Sequence, residues 1–166
     1  MRFIYIVLIL LFWCPSHSQE VISLAKNTSK EVTVRACHLV FFEIYDVTYS
    51  RDKDNDTACI NLDYLKEFTK KELADATKDI FLKLYGDEVF KLHKKNLYQI
   101  IDSYNDVSVG DNYKFCSKDS GYGYMMRNDN LITNLSDKDF NERFLKIWVK
   151  GIDKENKPIW SFPVCF

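Results

Sequence analysis

The sequence is poor in the residues that build metal sites and interdomain linkers. It has three histidines, and neither His38 nor His93 has a metal-ligating partner three or four residues away. Only three prolines occur, and no repeat or low-complexity stretch interrupts residues 19–166. We therefore expect one domain over residues 19–166, with no metal and no cofactor.

The charge is nearly balanced, which argues against nucleic acid as a partner. The chain has 23 basic and 24 acidic residues, a formal charge of −1. Arg2 is the only charged residue among residues 1–18. The rest of the chain therefore has 23 − 1 = 22 basic and 24 acidic residues, a formal charge of −2. A nucleic-acid-binding domain presents a basic face, and the lysine pairs at 70–71 and 94–95 are too short to form one.

The first segment has the layout of a secretory signal peptide. Met1-Arg2 precedes an unbroken apolar run of 11 residues from Phe3 to Trp13, and small residues then lead to a cleavage point after Ser18. A transmembrane helix needs about 20 apolar residues. We predict that residues 1–18 are removed, that the mature chain has no transmembrane segment, and that it is exported to a periplasm or secreted. An uncleaved anchor is the alternative.

Four cysteines follow residue 18, an even number in a compartment that permits disulfides. They are Cys37, Cys59, Cys116 and Cys165, and no Cys-x-x-Cys motif of the zinc or redox type occurs among them. One interpretation is one or two disulfides, with a connectivity that the spacing does not decide. The other is four small, buried apolar side chains.

The first third of the mature chain has the pattern of β-strands. Residues 31–50 are rich in β-branched and aromatic side chains, and a charged turn follows at 51–56. In the next segment one face consists of Ala58, Ile60, Leu62 and Tyr64. Residues 57–68 are therefore predicted to form another strand.

The period then changes to that of helices. Thr69 and Glu72 form a capping box, and apolar residues follow at helical spacing until Gly86, which suits a helix C-terminus. A second helix is predicted over residues 87–104.

The last third mixes both patterns. Short strands are predicted near residues 113–115, 122–126 and 131–135, with a tight turn at 128–130. A capping signal at 136–139 predicts the start of a helix that includes Trp148 and stops at Gly151. The apolar tail, residues 158–163, is predicted to pack on the rest of the domain. The predicted class is α+β, a largely antiparallel sheet with helices packed on one face.

Motifs of the common hydrolases, metalloproteases and nucleotide-binding proteins are absent. Three Asn-x-Ser/Thr triplets begin at Asn27, Asn55 and Asn134. They can carry glycans in a eukaryotic secretory pathway and mean little in a bacterium.

The order of six short motifs resembles the bacterial chalcone isomerase-like proteins, an exported and uncharacterised group. The match covers about residues 31–151. Its motifs are Arg35, Phe42-Glu-Ile-Tyr-Asp-Val-Thr-Tyr49, Ile60-Asn-Leu-Asp-Tyr-Leu65, Asp106-Val-Ser-Val-Gly-Asp111, Gly121-Tyr-Gly123 and Phe140-x-x-x-Phe144-Leu-Lys-Ile-Trp-Val149. The resemblance implies the chalcone isomerase-like open-faced sandwich.

The resemblance also places the catalytic positions of true chalcone isomerases. Their tyrosine and asparagine, early in the helix after the third strand, correspond to Leu73 and Ile80 here. Neither side chain can hydrogen-bond to a developing enolate. We therefore expect no catalytic residue and, on balance, no enzyme.

In fatty-acid-binding members of this fold an arginine meets the ligand carboxylate, and Arg35 matches its position. Its planar fork suits a carboxylate, so an apolar carboxylate is the candidate ligand. The predicted ligand-binding residues are Arg35, Tyr45, Tyr49, Phe42, Leu73 and Phe144. In the other interpretation Arg35 pairs with Glu31 or Glu43 on the sheet surface, and no ligand binds there.

Three functional hypotheses stay open. The first is a non-catalytic, extracytoplasmic protein that binds a fatty acid or another apolar acid. The second is an intramolecular lyase or isomerase with an unidentified substrate. The third is a structural or interaction protein of the envelope, whose partners the sequence does not name.

Overall fold

The computed structural model describes residues 30–38, 42–155 and 157–165 of the chain, without the side chains of Lys30, Cys37, His38 and Phe42. The predicted signal peptide, residues 1–18, and the triplet at Asn27 lie outside the described residues.

Six strands form one antiparallel sheet in the order in which they occur along the chain. They are β1 (Lys30–His38), β2 (Phe42–Asp52), β3 (Thr57–Tyr64), β4 (Asn112–Lys118), β5 (Gly123–Arg127) and β6 (Asn130–Leu135). The predicted turn after β5 is confirmed, and its residues Asn128 and Asp129 have φ angles of 47° and 62°. Asn and Asp tolerate this left-handed backbone, which matches the twist of a tight hairpin.

The long helix α1 (Lys70–Asp102) consists of two halves, residues 70–85 and 87–102. The predicted capping box is present, since the Thr69 side chain accepts from the Glu72 N–H and the Glu72 carboxylate accepts from the Thr69 N–H. Gly86 interrupts the helix with φ 76° and ψ 174°. The halves fold back on each other, so that the two ends of α1 meet and the Lys70 Nζ donates to the Asp102 carbonyl at 2.6 Å.

The helices cover one face of the sheet, here called the inner face, and the opposite face is called the outer face. Strand alternation supplies the inner face with apolar side chains such as Val47, Ile60 and Phe115. Buried residues of α1 and of α2 (Lys138–Leu145) complete the same core, among them Phe81 and Phe144. The predicted α+β class with a largely antiparallel sheet is confirmed.

The final helix is shorter than predicted. It ends at Leu145 rather than near Gly151, and Asp137, whose side chain accepts from the Phe140 N–H, is its N-cap. Trp148 lies beyond it and is still buried, because a tight turn after Leu145 keeps it in the core. Apolar spacing thus predicted the burial correctly, but it does not report where helical hydrogen bonds stop.

The residues after this turn form a small hairpin and a tail. β7 (Val149–Ile152) pairs with β8 (Pro158–Trp160). The tail then returns to the first strand, where Val164 forms a bridge with Ala36 and the Cys165 N–H donates to the Arg35 carbonyl at 2.9 Å. The prediction that the apolar tail packs on the body is confirmed.

We expect Gly123→Ala to lower the free energy of unfolding by about 1–3 kcal/mol, the usual cost of overpacking. An added Cβ would lie 2.5 Å from the side chain of Asn141, which is fully buried and donates to the Gly121 carbonyl at 2.9 Å. Gly151→Ala is the control, since nothing lies within 4 Å of its Cβ position. Urea denaturation followed by circular dichroism should separate the variants, and equal midpoints would contradict this explanation.

Candidate functional site

An apolar cavity of about 70 Å³ lies between the inner face of the sheet and the first half of α1. The strands contribute Tyr45, Ile60, Leu62, Tyr64, Tyr113, Phe115 and Met125 to its wall. The remaining wall residues are Leu73, Ala76, Thr77, Ile80, Tyr104, Ile147 and Trp148. The cavity is therefore bounded by sheet, helix and the segment that follows α2.

Local structure explains why these residues converge. Ile60, Leu62 and Tyr64 are alternate residues of β3, so all three point to the inner face. Leu73 and Ile80 are seven residues apart on α1, which places them on one side of the helix, two turns from each other.

One wall of the cavity reaches the protein surface. Ala76 and Ile80 line the cavity and are also exposed, Ile80 to 39%. Both lie in the half of α1 that ends at Gly86. This part of the helix forms the mouth of the cavity.

Four tyrosine rings bring hydroxyl groups to an otherwise apolar wall. Tyr64 makes edge-on contacts with Tyr45 and Tyr113, at ring-centre distances of 5.8 and 6.2 Å. Tyr104 packs edge-on against Tyr113 at 5.2 Å. Aromatic pairs favour this geometry because the ring edge is positive and the face negative.

The hydroxyls differ in their hydrogen bonds. The Tyr104 hydroxyl and Thr77 Oγ1 are 3.2 Å apart, and the Tyr113 hydroxyl accepts from the Asn105 N–H at 2.8 Å. Among the described residues, no hydrogen-bond partner of the Tyr64 hydroxyl is found. Tyr64 as a whole is only 5% exposed, but its hydroxyl is not among the side-chain atoms that are both fully buried and unpaired.

The cavity wall is uncharged. None of the described residues that line it is Lys, Arg, Asp or Glu. Burial raises the pKa of Tyr104, and Thr77 offsets part of this through its hydrogen bond. The pKa of Tyr64 lies well above its usual value, mainly because of burial and further because of the nearby hydroxyls of Tyr104, Tyr45 and Tyr113. The tyrosines are therefore neutral at physiological pH.

Arg35, one of the predicted ligand-binding residues, does not line this cavity. It lies opposite Asp46 in the β1–β2 register, and its side chain donates to Asp46 at 2.8 Å and to Glu43 at 2.8 Å. Tyr45, the next residue to Asp46, points to the other face because side chains alternate along a strand. The guanidinium is thus on the outer face, paired with two carboxylates.

The remaining predicted residues fall into three groups. Tyr45 and Leu73 line the cavity. Tyr49 and Phe144 are buried in the core but are not part of the cavity wall. The side chain of Phe42 lies outside the described part of the chain.

Apart from Tyr45, sequence reasoning missed the hydroxyl groups of the site. Tyr64 was expected on the apolar face of its strand, but periodicity cannot distinguish a packed core from a cavity wall. No sequence pattern marked Thr77 or Tyr113 as a residue of the site. The positions of the family's tyrosine and asparagine, Leu73 and Ile80, do line the cavity, where both side chains are apolar.

Two further observations concern cysteines and metals. Cys59 and Cys116 are directly opposite on β3 and β4 and form a disulfide, and Cys165 is disulfide-bonded as well. The side chain of Cys37 is outside the described part. Within residues 30–38, 42–155 and 157–165 no group of three His, Cys, Asp or Glu side chains could hold a metal ion.

None of the described helices combines the length and the apolar composition that crossing a membrane requires.

Comparisons with known proteins support the fold. No family model and no curated protein matches the chain. Among solved structures, a fatty-acid binding protein from Arabidopsis thaliana is similar, with a TM-score of 0.55 and 9% identity over 76% of this chain and 81% of that one. At this identity the likeness concerns the fold alone. The chain thus has the chalcone isomerase-like fold, and membership of the bacterial family stays a prediction.

Proposed function

We propose that the protein binds an apolar ligand in the cavity beneath α1, without catalysing a reaction, in a compartment outside the cytoplasm. The observation that supports this most directly is the uncharged, largely apolar cavity with a mouth at Ala76 and Ile80. A cleft of this kind with a few polar groups is the usual form of a small-molecule site.

Three features support binding without catalysis. Leu73 and Ile80, which the sequence resemblance aligns with the hydrogen-bonding catalytic residues of chalcone isomerases, are apolar residues of the cavity wall. Tyrosines with raised pKa values cannot act as bases near neutral pH. The Arg35 guanidinium lies on the opposite face of the sheet and cannot balance charge on a substrate in this cavity.

The cavity must enlarge to admit a whole ligand. Its volume of about 70 Å³ is well below the roughly 300 Å³ at which drug-sized ligands are held. The first half of α1 is the wall best suited to move, since part of it is exposed and Gly86 already ends it with a non-helical backbone. We therefore interpret the structure as the closed form.

The disulfides support the proposed compartment. Cysteine pairs such as Cys59–Cys116 form and persist in oxidising environments and are rare in the cytosol. The sequence pattern of residues 1–18 is consistent with export.

The small cavity also favours one second candidate, a structural or interaction protein of the envelope with a nearly filled core. Reproducible co-purification of one partner from native membranes, together with no binding of an apolar probe, would support it over ligand binding.

The first test is binding of pyrene, a fluorescent hydrocarbon, to delipidated protein. We expect saturable binding by the wild type and a loss of about tenfold or more in Ala76→Trp, because a large side chain at the mouth would occupy or close the cavity. Asp79→Trp is the matched control, since Asp79 is exposed on the same helix and does not line the cavity. Arg35→Ala should bind like the wild type. Absence of saturable binding, or equal binding by both Trp variants, would reject the proposal.

The second test is pH dependence. We expect pyrene affinity to stay constant from about pH 6 to about pH 9, because no group on the cavity wall titrates in that range. Above about pH 10 the affinity should fall because the folded protein becomes less stable. The pKa values of Tyr64 and Tyr104 are raised in the folded state, so alkaline pH ionises these tyrosines first in the unfolded chain and thereby favours unfolding. Fluorescence titration across this range measures it, and a step near neutral pH would contradict the assignment of the site.

A further inference from the structure

We infer that the cavity selects an apolar ligand whose polar group is uncharged, such as an ester, a ketone or an alcohol, and that the Tyr64 hydroxyl binds this group. The inference rests on the proposed function, because it concerns the same cavity.

The Tyr64 hydroxyl is free to bind the polar group of a ligand. Its ring is held edge-on by Tyr45, Tyr113 and Phe68, the last at a ring-centre distance of 5.9 Å, so the hydroxyl has a fixed position. The residue is 5% exposed and lines the cavity, and its hydroxyl has no partner among the described residues. The hydroxyl is not among the fully buried unpaired side-chain atoms, so it is accessible to water from the cavity, and a ligand in the cavity would replace water as its partner.

The neighbouring hydroxyls are already engaged. Tyr104 is paired with Thr77, and Tyr113 with the backbone of Asn105. Tyr64 is therefore the buried hydroxyl in this wall best able to form a new hydrogen bond. A tyrosine hydroxyl can both donate and accept, so it suits a carbonyl oxygen as well as an alcohol.

The described wall of the cavity offers no positive charge to a carboxylate. A carboxylate loses its hydration in such a cavity and needs a cation to offset that cost. The described wall residues include no cation, and Arg35 is paired with Asp46 and Glu43 on the outer face. The same environment that disfavours ionisation of Tyr64 disfavours a carboxylate beside it.

The experiment compares three ligands with the same hydrocarbon chain. Lauric acid, methyl laurate and dodecanol each compete with pyrene for delipidated wild-type protein at neutral pH. We expect the ester and the alcohol to displace pyrene at concentrations about tenfold lower than the acid, because only the acid must bury a charge.

A pair of tyrosine variants tests the residue. Tyr64→Phe should weaken the ester and the alcohol about five- to tenfold more than it weakens pyrene, because only these two ligands lose a hydrogen bond. Tyr124→Phe makes the same change on the outer face, opposite Cys116, and should alter nothing. Circular dichroism melting checks that both variants are folded, and the ligand comparison on the wild type needs no variant.

The outcomes separate this inference from the function on which it rests. If lauric acid competes as well as the ester, or if both Phe variants behave alike, the inference is overturned while pyrene binding still supports the cavity. If pyrene does not bind the wild type, the proposed function and this inference fall together.

Discussion

Alternation of side chains across one six-stranded sheet is the constraint on which the rest of the structure depends. Because only the inner face is covered by helices, a shift of one position along a strand moves a residue from the core to the surface. Tyr45 and Asp46 illustrate this on β2: the tyrosine lines the cavity, and the carboxylate pairs with Arg35 in solvent. Which groups can meet a ligand is decided by this register.

The fold was predictable because its signals are local. The capping box at Thr69, the helix end at Gly86 and the alternation of β3 each depend on residues close together in sequence, and each is present in the structure. The end of α2 was mispredicted because the apolar spacing continues to Trp148, whereas the backbone leaves the helix in a tight turn after Leu145. Apolar periodicity carries no information about where helical hydrogen bonds stop.

The site was predictable only in part, for a related reason. The resemblance led to Tyr45 and Leu73, which do line the cavity, but it grouped them with Arg35, which alternation places on the other face. Tyr64 was expected on the apolar face of its strand, and periodicity cannot show that a small cavity, rather than a packed core, borders that face. The likeness to a fatty-acid binding protein concerns the arrangement of strands and helices.

The return of the tail to β1 makes the two edges of the sheet unequal. The backbone of Ala36 and Arg35 is paired with Val164 and Cys165, so part of the β1 edge is covered by the chain's own C-terminal segment. Strand β6 forms the other edge and, within the described residues, has a neighbouring strand on one side only. Unpaired edge strands are where strands of another chain can add. Strand addition would therefore be directed to β6, and shortening the C-terminus would leave both edges unpaired.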